Sequence, residues 1–305
     1  MKKKKVIIIL GTTASGKTHL GVRLAREFKG EIISADSRQV YKGMDIGTGK
    51  DLEEYEIKTK KGKIKIPYHL IDVVQPKKQF TLAHWLKMAS RKIDDILRRK
   101  RVPFVVGGTA LYLNALIEGY QLPPAKLDKN LRKKLSKLSL ETLKKKLKKL
   151  DPQTYRTIDK KNRRRLQRAL EIILQTKKPL SVQRVKKRPD YHFLILGITH
   201  PKNILKKRIE KRLEQRLKKG LIEEVEKLHQ QGISWRRLEE FGLEYKFVAQ
   251  YLQNKISYLE MKEKLKKAIY QFAKRQMTWY KKMKNIHWIE GYSQAKKLVK
   301  DFLLN

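Results

Sequence analysis

The chain has 305 residues, of which 75 are Lys or Arg and 30 Asp or Glu, for a net charge of +45; two-fifths are apolar and none is cysteine. Absence of cysteine excludes disulfides, thiolate nucleophiles and cysteine-ligated zinc. So large a positive excess calls for a polyanion, nucleic acid first, the plainer reading being a lysine-rich surface that is merely solvated. The length predicts one α/β core with an insertion or a second lobe, and no stretch approaches the roughly twenty apolar residues needed to span a bilayer.

Met1 to Lys5 with Val6 to Leu10 superficially mimics a signal peptide. The apolar run is too short, however, and is read as the start of a cytoplasmic enzyme. Val6–Leu10 is expected to be a buried strand, and Lys17 to about Phe28 a helix. Between them lies Gly11-Thr12-Thr13-Ala14-Ser15-Gly16-Lys17-Thr18, which fits G-x-x-x-x-G-K-T, the loop whose backbone amides cradle phosphates. The two glycines allow that backbone path, Lys17 adds a point charge, and the Thr18 hydroxyl is placed for Mg²⁺. A simple glycine turn is the alternative, and the loop does not say whether the phosphates belong to a nucleotide or another diphosphate.

Glu31–Ser34 reads as a second strand, with Asp36 just beyond its carboxyl end, where ligands of open α/β sheets gather. Asp36 is therefore the first catalytic candidate, although an Asp there also serves as a turn or cap residue. Residues 42–50 are loop-like, and 51–67, including Lys61-Gly62-Lys63, read as an exposed hairpin. His69–Val74 is expected to be a strand or strand end. Its Asp72 stands open between an outer Mg²⁺ position and a structural hydrogen bond, and His69 has no companion for a metal role. Thr81 opens an amphipathic helix to about Arg99. Val102–Val106 is a strand running into Gly107-Gly108-Thr109, where Thr109 either meets a ligand or caps the next helix.

From Leu122-Pro123-Pro124 the texture changes. Leu127, Leu131, Leu135, Leu138, Leu143, Leu147 and Leu150 recur on a lysine background, predicting two amphipathic helices with a break near Ser139. Asn162–Glu171 follows as a helix with a basic stripe. Residues 101–200 hold twenty-five basic and seven acidic side chains, the most lopsided third. The domains are drawn as 1–121, the first part of the core; 122–188, an all-helical insertion closed by Lys186-Lys187-Arg188-Pro189; and 189–305, the second part. Phe193–Ile198 returns as a strand. Asn203–Gln231 is a long helical region with Arg208 and Arg212 four apart on one face, which either pair with nearby Glu or reach the phosphates. Basic residues interleaved with Trp279 and Tyr280 suit a nucleic-acid surface, or else the aromatics are core. His287–Ile289 is a last short strand.

GTTASGKT, ISADSRQVYKGMDIGTGK, HLIDVV, VPFVVGGTALYLNALIEG, NRRRLQRALEI, GLIEEVEKL and AKRQMTWYKK occur in one order over roughly residues 6–290. Together they resemble the bacterial-type tRNA dimethylallyltransferase (tRNA isopentenyltransferase) family. DSRQVYKGMDIGT with VGGT, absent from ordinary phosphate-loop kinases, carries most of the resemblance. It implies an α/β fold with a P-loop NTPase-like core, a parallel sheet and an inserted helical domain. It further implies a dimethylallyl diphosphate donor, Mg²⁺, and transfer to N6 of the adenosine just 3′ of the anticodon (position 37), so that the anticodon stem-loop of tRNA is the partner. By the same resemblance Asp36 is the general base, Thr109 bonds near the target adenine, and Gly11 to Thr18 with Arg212 hold the diphosphate. tRNA contacts are implied at Asp36, Ser37, Arg38, Gln39, Thr109, Arg132, Arg164, Arg165, Leu166, Gln167 and Arg168. Others are implied at Phe241, Gly242, Leu243, Glu244, Tyr245 and Lys246, and at Lys274, Arg275, Gln276, Met277, Thr278, Trp279, Tyr280 and Lys281.

Two positions depart from the family pattern. Thr12 replaces a usual proline, altering loop stiffness rather than chemistry, and Phe241-Gly-Leu-Glu-Tyr-Lys replaces a more usual Gly-Tyr-Lys/Arg ending. The zinc-finger extension of eukaryotic members cannot be present without cysteine. The competing readings are a small-molecule kinase, which leaves the insertion and the charge unused, a prenyltransferase of free adenine nucleotide, and a non-catalytic RNA-binding nucleotide switch. A monomer without membrane attachment is the default expectation.

Overall fold

The computed structural model describes residues 4–59, 62–123, 125, 128–183, 187 and 189–305. The leader before Lys4, Lys61, Pro124, Leu127, Lys186 and Arg188, all used in the sequence reading, lie outside the described residues. Among those described, the strands are β1 Lys4–Gly11, β2 Gly30–Ser34, β3 Glu56–Thr59, β4 Gly62–Lys65, β5 Tyr68–His69, β6 Val102–Gly107, β7 Tyr191–Ile198 and β8 Ile286–Ile289. The helices are α1 Lys17–Glu27, α2 Leu82–Arg98, α3 Ala110–Ile117, α4 Lys129–Ser136, α5 Leu140–Leu150, α6 Pro152–Thr157, α7 Arg163–Thr176 and α8 Leu180–Gln183. They continue as α9 Lys202–Lys218, α10 Leu221–Gln230, α11 Trp235–Phe241, α12 Leu243–Leu252, α13 Tyr258–Tyr280 and α14 Tyr292–Leu304.

Two compact units result: Met1–Ile117 with Asp190–Asn305, and Glu118–Pro189. The first is built on a six-stranded parallel sheet in the order β5-β2-β6-β1-β7-β8. β1 lies inside it, and Val6 to Leu10 are wholly buried, which is why this strand is a continuous apolar run rather than an alternating one. Because the chain passes from β1 to β2 and later returns to lay β6 between them, the carboxyl ends of β2, β6 and β1 open side by side. α2 covers one face. Thr81 caps it, with His84 completing a capping box, and Trp85, Ala89, Ile93 and Ile96 form its buried stripe. The Trp85 indole stacks on Tyr112 and donates to the Ser34 carbonyl at 2.9 Å. Trp85→Ala is expected to cost about 3–5 kcal/mol of stability, measured by denaturant unfolding; a loss below about 1 kcal/mol would mean that α2 does not anchor this face.

The second unit is helical. Leu135, Leu143, Leu147, Leu166 and Leu170 share its core, Ser139 caps α5 at the expected break, and Asn162 caps α7. No helix among the described residues is long and apolar enough to cross a membrane.

The structure refines three readings that the sequence left open or coarse. The strand at 69–74 shrinks to Tyr68–His69, because Leu70 and Asp72 take positive φ and turn the chain. Asp72 is structural: its Oδ1 accepts from the buried Lys50 ammonium, which also reaches Asp45 Oδ1 at 2.6 Å and the Tyr41 carbonyl at 2.7 Å. The helical region at 203–231 consists of two helices, α9 and α10, parted at Gly220.

Candidate active site

Three loops at adjacent strand ends make the floor of a cleft of about 660 Å³, lined by residues of the first unit alone. The loop after β1 turns through Gly16 at φ 87°, a left-handed conformation that glycine adopts without penalty, and α1 starts at the next residue. Its helix N-terminus and the Lys17 ammonium face the same space as Arg208, Arg212 and Arg216. Arg208 Nε donates to the Ala14 carbonyl at 2.7 Å and Arg212 pairs with Asp51 at 3.3 Å. Neither arginine uses a Glu on its own helix for these contacts, so both belong to the cleft.

These cations share one largely buried space, and both burial and their mutual repulsion disfavour the charged forms. Burial and the neighbouring Arg212 push Lys17 down to about 8, although the side chain keeps some solvent access within the cleft. Burial, then Arg216, lowers Arg212 as well. Two buried hydroxyls of the loop, Thr12 Oγ1 and Ser15 Oγ, have no hydrogen-bond partner among the described residues, and Ser15 lines the cleft. An unpaired buried hydroxyl costs about 1–3 kcal/mol, which an anion accepting from Ser15 would recover. Charge, backbone path and an orphaned donor together give this loop the chemistry that suits a polyphosphate. Thr18 lines the cleft beside Lys17, and no cluster of three or more His, Asp or Glu that could hold a metal exists among the described residues. A hydroxyl without an all-protein cage fits a hard cation carried largely on ligand phosphates, as Mg²⁺ is.

On the opposite wall, Asp36 follows β2. Its Oδ1 accepts from the amides of Arg38 at 2.8 Å and Gln39 at 3.3 Å, a side-chain turn that fixes the carboxylate; both readings of Asp36, cap and cleft group, are therefore present in one residue. Thr109, after β6, accepts from the Ser37 amide at 2.9 Å, and its own amide donates to the Ala35 carbonyl at 3.1 Å, which ties the β6 turn to the Asp36 segment. Gln39 reaches the Gly49 carbonyl at 2.9 Å.

The remaining predicted residues divide by burial. Arg164 and Arg165 are exposed on α7, and Arg165 has a loose 3.8 Å contact with Asp159. Arg132 and Arg168 converge instead on the buried Glu171, each at 2.8 Å, so part of their charge is neutralised. Leu166 is in the helical core. Gln167 is partly buried and bonds the Leu135 carbonyl at 3.4 Å. Around the α11–α12 turn, Phe241, Gly242, Leu243 and Glu244 line the cleft, but Phe241 and Tyr245 are packed in the core. Glu244 is buried against the Arg216 guanidinium, which identifies the departure at this position as an internal ion pair. On α13, Lys274, Arg275, Thr278 and Trp279 are exposed, as is Lys281 just past its end, and Met277 is partly so, whereas Gln276 and Tyr280 point inward. The expectation of direct tRNA contact by the side chains of Leu166, Tyr245 and Tyr280 is therefore corrected, since each is held in an interior, whereas Gln276 is buried yet lines the cleft.

Sequence reasoning passed over Glu224. Its carboxylate accepts from the amides of Asp45, Ile46 and Gly47 at 2.8, 2.6 and 3.0 Å and from the Tyr245 hydroxyl at 2.7 Å, thereby holding the loop that carries Gly47 and Gly49. Its only signal was its place within GLIEEVEKL.

Comparison with known proteins gives a consistent result. The IPP transferase family model matches residues 39–283 and the isopentenyl transferase model residues 4–64. The chain is 46% identical to tRNA dimethylallyltransferase 1 of Syntrophus aciditrophicus, with 94% of each chain covered. It is 43% identical to the Geotalea uraniireducens enzyme of the same name, covering 98% of this chain and 96% of that one. Among solved structures, the full-length tRNA isopentenylpyrophosphate transferase of Bacillus halodurans aligns with a TM-score of 0.70 at 35% identity, covering 99% and 96%. A eukaryotic dimethylallyltransferase acting on tRNA aligns with a TM-score of 0.79 at 28% identity, covering 98% of this chain and 77% of that one.

Proposed function

The chain belongs to the IPP transferase family, and from that premise we propose that it moves a dimethylallyl group from dimethylallyl diphosphate to N6 of the adenosine 3′ of the anticodon in tRNA. The observation that carries this reading is the pairing, across one cleft, of a cationic phosphate loop with the fixed carboxylate of Asp36.

An exocyclic adenine amine is a weak nucleophile, because its lone pair is conjugated with the ring. As N6 bonds to C1 of the dimethylallyl group, the C1–O bond breaks and its electron pair leaves on the diphosphate. The N6 proton passes to Asp36. Gly16 to Thr18, Ser15 and Arg212 receive the departing charge, and Arg208 steadies the loop through Ala14. When bound, Mg²⁺ would be held by Thr18 and the diphosphate oxygens and would neutralise the charge on the leaving group. Thr109 orients the Asp36 segment through Ser37. The target base must leave its stack to be reached, so broad contact with the tRNA backbone is required; Arg164 and Arg165 on α7 and the exposed side of α13 are the surfaces for it. All cleft residues come from one compact unit, so a monomer suffices for the chemistry.

The test is mass spectrometry of nucleosides from unmodified tRNA incubated with protein, Mg²⁺ and dimethylallyl diphosphate. N6-prenylated adenosine that depends on the diphosphate is expected. Phosphate transfer or nucleotide hydrolysis in an ATP-only control, with no prenylated nucleoside, would replace this reading with a kinase or a nucleotide switch. Arg165→Ala is expected to weaken tRNA binding, lower its salt slope by about one, and leave affinity for the small diphosphate unchanged. An unaltered slope would remove α7 from the tRNA surface.

A further inference from the structure

Gln276 sits on α13 among residues whose neighbours face solvent, yet it is 5% exposed and its amide is used at both ends. Its Oε1 accepts from the Thr13 amide in the phosphate loop at 2.8 Å, and its Nε2 donates to the Gly108 carbonyl in the β6 turn at 2.8 Å. One turn along the same helix, the buried Tyr280 hydroxyl lies 3.2 Å from the Gly11 carbonyl and 3.1 Å from that of Gly108. A Cβ on Gly108 would fall 2.6 Å from Gln276 Nε2 and 3.5 Å from Lys17 Nζ, so the site is closed around this contact and the phosphate-binding ammonium stands beside it.

We propose that Gln276 is a positioning residue that brackets the phosphate loop to the β6 turn and so fixes Lys17 relative to Asp36 and Thr109, rather than a contact to nucleic acid. The Thr13 amide points to Gln276 and not to a ligand, so the loop can offer the diphosphate only its remaining amides. Their direction then depends on a helix more than 250 residues away in the chain. The two arms join the loop that takes the leaving group to the turn whose Thr109 holds the Asp36 segment, the two halves of the reaction. This inference rests on the proposed reaction for its kinetic part, but the bracket itself can be measured without turnover.

Four measurements on Gln276→Met, which keeps the length and removes both bonds, and on Gln276→Glu, which keeps the acceptor and loses the donor, test it. Calorimetry with inorganic diphosphate and Mg²⁺ should show weaker binding in both variants, more so for Gln276→Met. The Thr13 amide should exchange faster in Gln276→Met and stay protected in Gln276→Glu. Turnover should fall about a hundredfold in Gln276→Met, the scale of loss from misplacing reacting groups by about an ångström, with tRNA affinity within twofold of wild type. Weakened tRNA binding with normal diphosphate affinity, or a Thr13 amide that exchanges equally in all three proteins, would overturn the proposal. Gln276→Glu retains the buried volume and one bond, so it serves if Gln276→Met does not fold. If the wild-type protein transfers no prenyl group, the reading of the reaction fails, and amide exchange with diphosphate calorimetry still decides the bracket.

Discussion

Asp36→Asn should lower turnover about a thousandfold while tRNA and diphosphate affinities stay near wild type. Asparagine retains an oxygen for the amides of Arg38 and Gln39, so the turn after β2 survives, and what is lost is the capacity to take a proton from N6. Asp36→Ala removes the turn as well and should abolish transfer, again with tRNA still bound. The comparison separates chemistry from scaffolding. If Asp36→Asn were nearly as active as wild type, the carboxylate would not be the base; if both variants lost tRNA binding in step with activity, Asp36 would be a folding residue. A non-catalytic RNA-binding switch predicts a third pattern, with RNA function intact even in Asp36→Ala.

Lys17→Met should reduce turnover by a factor of about 100–1000 and weaken diphosphate binding, since removing a single donor that stabilises developing negative charge costs on that scale. The same lysine predicts a pH dependence. Burial and Arg212 set its free-state value at about 8. A bound diphosphate favours the charged form and must raise that value. Below pH 8 the ammonium is already charged in the empty cleft, so it adds no pH dependence to affinity. As pH rises above 8 the free protein loses the proton that binding requires, and diphosphate affinity should fall up to tenfold per unit. Calorimetry between pH 7 and 9.5 should show this decline in wild type and not in Lys17→Met. A flat wild-type profile would mean that Lys17 is fully charged in the free cleft, and the crowding of cations read from the structure would be wrong.

Much of the core could be read from residues alone, because local signals there agree with the global fold. The run Val6–Leu10, the glycine spacing of the loop and the helix from Lys17 announce one another within a dozen residues. Thr81, Ser139 and Asn162 mark helix starts through side-chain caps that need no tertiary partner. Residues 69–74 could be read only as a strand or a strand end, for the converse reason: Leu70 and Ile71 are apolar because they are buried, not because they are extended, and hydropathy does not distinguish the two.

Periodicity and spacing by themselves determined the phosphate loop, an α/β core, the basic helical insertion and the placing of Asp36 at a strand end; that the sheet is parallel was implied by the family resemblance. Only the tertiary structure decided which side chains line the cleft and which are buried in the core. Leu166, Tyr245, Gln276 and Tyr280 stand in segments that match the family as closely as their exposed neighbours do, and their burial follows from helix packing rather than from any local pattern. Glu224 and Gln276 bond backbone groups about 180 and 263 residues away. A hydrogen bond to a backbone amide or carbonyl leaves no mark on the sequence of its partner, since every residue but proline offers both groups. Such contacts become visible only when folding brings the two ends together.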